Sequence, residues 1–290
     1  MVTPTNIIIF EEMKNKMYFI NAFAENGLAG NPAAVCIVDD WPSDADMQRI
    51  AKDNNLSETA FCLCLSDDRL NPKFHIRWFT PGCEVDLCGH ATLATSYILF
   101  KYYFREAETL HFQSRSGDLH VRKTDDFLIL MDFPMYGVEK VTDPDEIEAV
   151  NYALKPLFPK EIYRGIDYMA VFETAEEVQS FRPDYEKIKT IPGDFNLLIT
   201  APGNEKYDFV SRCFFPKEAI DEDPVTGSAH CTLGPFWARR MNKTSLNAYQ
   251  ASLRGGILHL EIQEGRVIVG GRAVIAEGDG RGCFSSIAES

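Results

Sequence analysis

Three ionisable side chains in this sequence sit where their surroundings favour proton chemistry. Glu58 lies in Leu56-Ser57-Glu58-Thr59-Ala60-Phe61, where alternation puts it on one strand face with Ala60 and Cys62, among apolar neighbours. A carboxyl group withdrawn from water loses preference for its charged form. Its pKa is then expected to rise toward neutrality, where a general acid/base works. His90 follows Gly89 at the head of a long apolar run, and Asp223 stands in Asp221-Glu222-Asp223-Pro224-Val225-Thr226-Gly227-Ser228. Each has an ordinary alternative: a strand-edge glutamate facing water, a satisfied core histidine, a capping or turn aspartate. Gly89-His90 and Gly227-Ser228 each open a predicted helix, whose leading N–H groups and positive dipole end attract carboxylates or phosphates. The same glycines serve equally well as plain helix starts. A Glu, a His and an Asp converging on such helix starts suit removal and return of a proton beside a carboxylate.

The elements that must position these residues can be read along the chain. Met17 to Phe23 reads as a buried strand, ENGLAGNP as a turn, and Ala33 to Val38 as a second strand. In WPSDADMQRIAKDNN, Ser43 is the expected N-cap and Met47, Ile50 and Ala51 share a helical face. LSETAFCLCL and FHIRWF read as strands, and a buried helix is expected from about His90 to about Phe104. The second half follows the same order, with a helix-rich piece at Asp143 to Leu157 and strands near Tyr168 to Phe172 and Phe195 to Ala201. Arg77-x-Phe79-x-Pro81 recurs as Arg212-x-Phe214-x-Pro216, and Gly89-x-Ala91 recurs at nearly the same interval as Gly227-x-Ala229. This pattern predicts an internal duplication: a first lobe over 17–122, with or without the extreme C-terminus, a second over 123–290, and 1–16 as a leader or extension.

Composition narrows the partners. The 290 residues suffice for two domains with real cores, and 45% apolar with 25% charged residues is a globular balance. No stretch approaches the roughly 20 apolar residues needed to span a bilayer. A net charge of −14 argues against nucleic-acid or anionic-membrane surfaces, which need clustered positive charge, and leaves small molecules as the expected partners. The eight cysteines have neither disulfide-scaffold nor paired zinc-ligand spacing. Cys62, Cys64, Cys83 and Cys88 are therefore read as buried thiols, with no metal, in a reducing cytoplasm. The opening MVTPTNIIIFEEMKNK lacks the basic segment and apolar length of a signal peptide. Neither GxGxxG nor a phosphate-binding GxxxxGK[ST] occurs, so no nucleotide cofactor is expected.

Taken together, FINAFAENGLAGNPAAV, LSETAF, FTPGCEVDLCGHATLAT and DEDPVTGSAH resemble the PhzF-like family of phenazine biosynthesis, which shares the diaminopimelate epimerase fold. The likeness runs over nearly the whole chain from Met17. It implies an α+β protein of two pseudo-symmetric lobes, each an antiparallel sheet or partial barrel around a central helix, with the site in the interlobe cleft. It further implies a homodimeric isomerase that needs no cofactor and acts on a small carboxylate-bearing substrate. The family's catalytic glutamate falls on Glu58, its histidine on His90, its aspartate on Asp223 and its helix-start serine on Ser228. Racemases of this fold use two cysteines. Cys88 fills the first position but Pro224-Val225 fills the second, so a two-thiol racemase is disfavoured. A racemase or epimerase, and a non-catalytic small-acid binding protein, stand as alternatives. Val138 to Thr190 carries no motif.

Overall fold

Ser43 shows how directly local chemistry sets the elements of this protein. Its hydroxyl accepts from the Asp46 N–H at 3.1 Å, and the helix it caps, α1 (Asp44–Asn54), buries Met47, Ile50 and Ala51 as its spacing predicts. The structure, a computed structural model, describes residues 16–218, 220–276 and 282–283. The expected leader lies outside the described residues except for Lys16. No helix among them is long and apolar enough to cross a membrane.

The chain forms two compact units. The first holds the described residues up to Ala24, then Pro32–Asp132, then those from Gly270 on. The second holds Glu25–Asn31 and Phe133–Val269. The change of unit thus falls after Asp132, where the sequence pattern suggested 122, because the strand that follows the Asp125-Asp126 turn still pairs with the one before it.

In the first unit the order is β1 (Lys16–Ala22), β2 (Asn31–Val38), α1, β3 (Glu58–Ser66), β4 (Lys73–Phe79), β5 (Glu84–Val85), α2 (Gly89–Ile98), β6 (Thr109–Ser114), β7 (Gly117–Lys123) and β8 (Ile129–Pro134). The second continues with β9 (Glu139–Lys140), α3 (Pro144–Leu154), β10 (Glu161–Arg164), β11 (Tyr168–Val171), α4 (Ala175–Ser180), α5 (Tyr185–Lys189), β12 (Leu197–Pro202), β13 (Phe209–Phe215), β14 (Ile220–Asp223), α6 (His230–Met241), β15 (Ser245–Gln250), β16 (Gly256–Gln263) and β17 (Arg266–Gly271). The chain has returned to the first unit at Gly270, within β17, and there β18 (Ala273–Ile275) and β19 (Gly282–Cys283) both pair with β1.

Strand pairing repeats between the units. In the first, β2–β3 is parallel, β3–β4 antiparallel, β4–β6 parallel and β6–β7 antiparallel. In the second, β11–β12, β12–β13, β13–β15 and β15–β16 follow the same sequence of directions. The architecture is α+β, as expected, but the sheets are mixed rather than antiparallel. A helix between β2 and β3, and another between β4 and β6, carries the chain back to the starting end, which lets those strands run parallel. The motifless segment from Val138 to Thr190 has a packing role: α3, α4 and α5 bury Val150, Leu154, Val178 and Ile188 in one core with Ile199 and Phe214 of the sheet.

The repeated arginines have a structural reason. Arg77 grips Glu84 with two bonds of 2.7 Å, and Arg212 grips Glu222 with bonds of 2.7 and 2.8 Å. Each bidentate pair ties a strand to the short strand that leads toward the helix of its unit, so the two glutamates repeat along with the arginines. The helices α2 and α6 pack against β1, β3 and β18, and against β15 and β16, respectively.

Every residue of α2 is buried, and its polar side chains bond back to the helix: Thr92, Thr95 and Ser96 hydroxyls donate to the carbonyls four residues earlier at 2.6–2.8 Å. The expected extension to Phe104 exists, but Leu99–Tyr103 winds as a π-helix. Gly271 marks how closely the strands approach α2. A Cβ there would overlap the Phe23 ring and lie 2.8 Å from a Leu93 methyl carbon. Gly271→Ala should therefore cost about 1–3 kcal/mol by overpacking, read as a lower urea midpoint with an unchanged slope.

Candidate active site

Glu58 is the first residue of β3, and His90 is the second of α2. Parallel pairing with β2 sets Glu58 opposite Ala33, and the packing of α2 on β3 brings the two side chains together. Their closest atoms, His90 Nε2 and Glu58 Oε2, are 3.1 Å apart, with the side chains only 5% and 13% exposed. That excludes a strand-edge glutamate facing water. The contact is close enough for strong charge attraction but lies off the line of a hydrogen bond, and neither atom makes one elsewhere among the described residues. The other ring nitrogen of His90, Nδ1, is 3.5 Å from the sulfur of Cys88, the N-cap of α2.

Electrostatics separates this histidine from a structural one. Burial, the largest single influence on His90, opposes a charge. The Cys88 sulfur and the Glu58 carboxylate flanking the ring together outweigh it, and the pKa is raised well above the ordinary imidazole value of 6.5. The Cys88 thiol is pushed up in turn, first by burial and then by Glu58. His230, at the matching end of α6, is the satisfied core histidine. Its Nδ1–H donates to the Thr226 carbonyl at 2.8 Å, the Ser211 hydroxyl lies 3.3 Å from Nε2, and burial lowers its pKa to about 4.

Asp223 ends β14 in the second unit and is not the N-cap of α6, which is Ala229. Both its carboxylate oxygens are oriented: Asn31 Nδ2 donates to Oδ1 at 2.8 Å and the Thr226 hydroxyl to Oδ2 at 2.5 Å. Buried Gln250 locks the turn, with its Nε2 donating to the Asp223 carbonyl and its Oε1 accepting from the Thr226 N–H, both at 2.8 Å.

Gly89 opens α2, and the first intrahelical bond runs from Thr92 N–H to the Cys88 carbonyl, so the N–H groups of residues 89–91 precede it. Gly227 and Ser228 lie in a turn before α6 rather than in the helix, with Ser228 exposed and Gly227 buried. The structure thus brings Glu58 and His90 into contact in the first unit and groups Asp223, Gly227 and Ser228 along one segment of the second. Sequence reasoning missed Asn31, Thr226, Gln250 and His230, and did not pair Cys88 with His90. Asn31 stood inside a stretch read as a turn. Gln250 sits in a plainly alternating strand, with only its burial to single it out.

Of the cysteines read as buried thiols, Cys62 and Cys88 are buried, Cys64 is half-buried and Cys83 is exposed in the Thr80–Cys83 turn. Cys36, Cys62, Cys64, Cys83, Cys88, Cys213 and Cys231 are free thiols. Glu58, Cys88 and His90 each offer one metal-ligand atom within 4.8 Å of the others. The sulfur addresses Nδ1 and the carboxylate Nε2, so the three form a chain through the ring rather than a tripod around one point.

A buried carboxylate held against an imidazole at a helix start is an arrangement of the kind that proton-transfer enzymes use. The chain belongs to the phenazine biosynthesis-like family PhzC-PhzF, whose family model matches residues 20–278. An uncharacterized isomerase of Pseudomonas aeruginosa is 40% identical over 264 residues, covering 91% of this chain and 97% of the relative. The crystal structure of a PhzF family phenazine biosynthesis protein of Enterococcus faecalis is 45% identical, with a TM-score of 0.82 over 92% of this chain and 98% of that one. A hydroxyproline epimerase from Agrobacterium vitis, solved with trans-4-hydroxy-L-proline bound, is 11% identical and superposes with a TM-score of 0.58 over 92% of this chain and 90% of that one. That likeness shows the shared diaminopimelate epimerase-like fold. The relatives put the protein among isomerases.

The two histidines predict opposite pH dependences. Between pH 6.5 and about 4 the unfolded chain takes a proton that His230 refuses, so stability drops by about 3 kcal/mol from this group as pH falls, and His230→Gln should flatten that limb. His90 contributes stability that is complete below 6.5 and is lost as pH rises through its higher folded-state pKa. His90→Gln should flatten that alkaline limb and leave the acid one unchanged, as measured by urea unfolding across pH.

Proposed function

We propose that the protein is a cofactor-independent isomerase that moves a proton on a small carboxylate-bearing substrate by general acid/base catalysis, with Glu58, His90 and Asp223 as its catalytic residues. The observation that carries this reading is the contact between Glu58 and His90 in a nearly dry setting, where a carboxylate meets little competing solvent and has one oxygen against an imidazole whose pKa is raised. In the first step Glu58 removes a carbon-bound proton. The C–H bond breaks, its electron pair stays on the substrate, and the Glu58 carboxylate becomes a carboxylic acid. In the second, the same O–H bond breaks and the proton is delivered to a different atom of the substrate, which restores the carboxylate. His90 and Asp223 hold the polar substituents, each with its own side chain already oriented by neighbours. The leading N–H groups at Gly89, and those of Gly227 and Ser228, are suited to the substrate's carboxylate.

The test is proton NMR in heavy water with a panel of small unsaturated, cyclic and amino acids, using wild type and Glu58→Gln. Wild type should put deuterium into one substrate class. Glu58→Gln should lose about two to four orders of magnitude in rate while still binding by calorimetry. Exchange that survives in Glu58→Gln would remove Glu58 from this role. Binding of an acid without exchange in wild type would leave a binding protein.

A further inference from the structure

Cys88 has no part in the mechanism above, yet it touches the ring that contacts Glu58. Its side chain does not cap α2, although it occupies the N-cap position. Its backbone is pinned instead, because the Thr92 hydroxyl donates to the Cys88 carbonyl at 2.6 Å and the Thr92 N–H bonds to the same oxygen. So anchored, Cys88 is only 6% exposed, and its sulfur sits 3.5 Å from His90 Nδ1, on the opposite edge of the ring from Glu58.

We propose, resting on the reading of Glu58 as the acid/base, that Cys88 is a positioning residue whose thiol occupies Nδ1 of His90 and keeps the ring's Nε2 proton on the Glu58 side. A neutral imidazole carries one proton, on either nitrogen, and the partner of one nitrogen decides the state of the other. A carbonyl can only accept, so the Thr226 carbonyl forces the proton of His230 onto Nδ1. A thiol both donates and accepts. When His90 is neutral, the Glu58 carboxylate beside Nε2 can only accept, which favours the ring proton there, and the Cys88 S–H then donates to Nδ1. When His90 is charged, the sulfur accepts from Nδ1–H and Nε2–H is retained. In both states a protonated Nε2 lies 3.1 Å from Glu58 Oε2, which leaves Oε1 as the oxygen to take a proton from carbon. The same fold thus sets its two helix-start histidines in opposite tautomers through the partners it supplies at the ring nitrogens.

The experiment is long-range ¹H–¹⁵N correlation NMR of protein labelled at histidine nitrogens, with the His90 signals assigned by their loss in His90→Gln. In wild type above its titration, His90 should show the Nε2–H pattern. Cys88→Ala should let the neutral ring populate Nδ1–H and move its titration down toward 6.5. Cys88→Ser, which keeps a donor and acceptor, should preserve the wild-type tautomer. If alanine disturbs the start of α2, Cys88→Val fills the space without offering a donor and should behave as alanine does. An unchanged tautomer and titration in Cys88→Ala or Cys88→Val would overturn the proposal, as would Cys88→Ser behaving like alanine. The readout involves no turnover, so it stands apart from the heavy-water test of Glu58: exchange surviving in Glu58→Gln removes the acid/base reading and leaves the ring's tautomer as measured.

Discussion

A carboxylate and an imidazole held 3.1 Å apart and nearly sealed from water form the constraint on which the first unit is arranged. Neither group is stable there alone. An unpaired buried charge costs several kcal/mol, and the removal of one partner strands the other. The register of β3 against β2 must therefore deliver Glu58, and α2 must deliver His90, to the same point. The bidentate Arg77–Glu84 pair ties β4 to the short strand that precedes the helix, and the all-buried α2 leaves the helix little freedom to rotate. The tight approach at Gly271 belongs to the same requirement, since it lets the strand lie against Leu93 of that helix.

The duplicated architecture supplies the comparison that gives the site its meaning. Both units run a strand, an arginine clamp and a helix in the same order, and each helix has a histidine within its first two residues. One histidine is neutral and satisfied by a carbonyl and a hydroxyl. The other lies between a thiol and a carboxylate, which raise its pKa. Burial is similar at the two positions, so it is the chemistry of the neighbours that shifts the two histidines in opposite directions. In the second unit the corresponding care is spent on Asp223, whose two oxygens are held by Asn31 and Thr226.

Much of this was legible in the residues. The Ser43 cap, the strands around Glu58, the buried helix after Gly89 and the duplication all follow from period, capping chemistry and repeated spacing. The family resemblance was carried by four ordered motifs and is met by the match over residues 20–278. What escaped was long-range. The parallel pairings depend on where the crossover helices lead the chain. The partnership of Asn31 with Asp223 spans 192 positions, and nothing near either residue announces it. Cys88 was weighed as a thiol by its sequence neighbours, whereas its relevant neighbour is the imidazole two residues on, aimed back by the turn of the helix.

The central claim is that Glu58 and His90 act as one coupled pair, and a double-mutant cycle on unfolding free energy tests it most directly. Glu58→Gln, His90→Gln and the double variant would be compared with wild type by urea unfolding at pH 6.5. The pairing predicts that the double variant loses less than the two singles together, with an interaction energy on the order of 0.5–3 kcal/mol. Losses that add to within about 0.5 kcal/mol would mean that the two side chains are neighbours without being partners, and the account would fail.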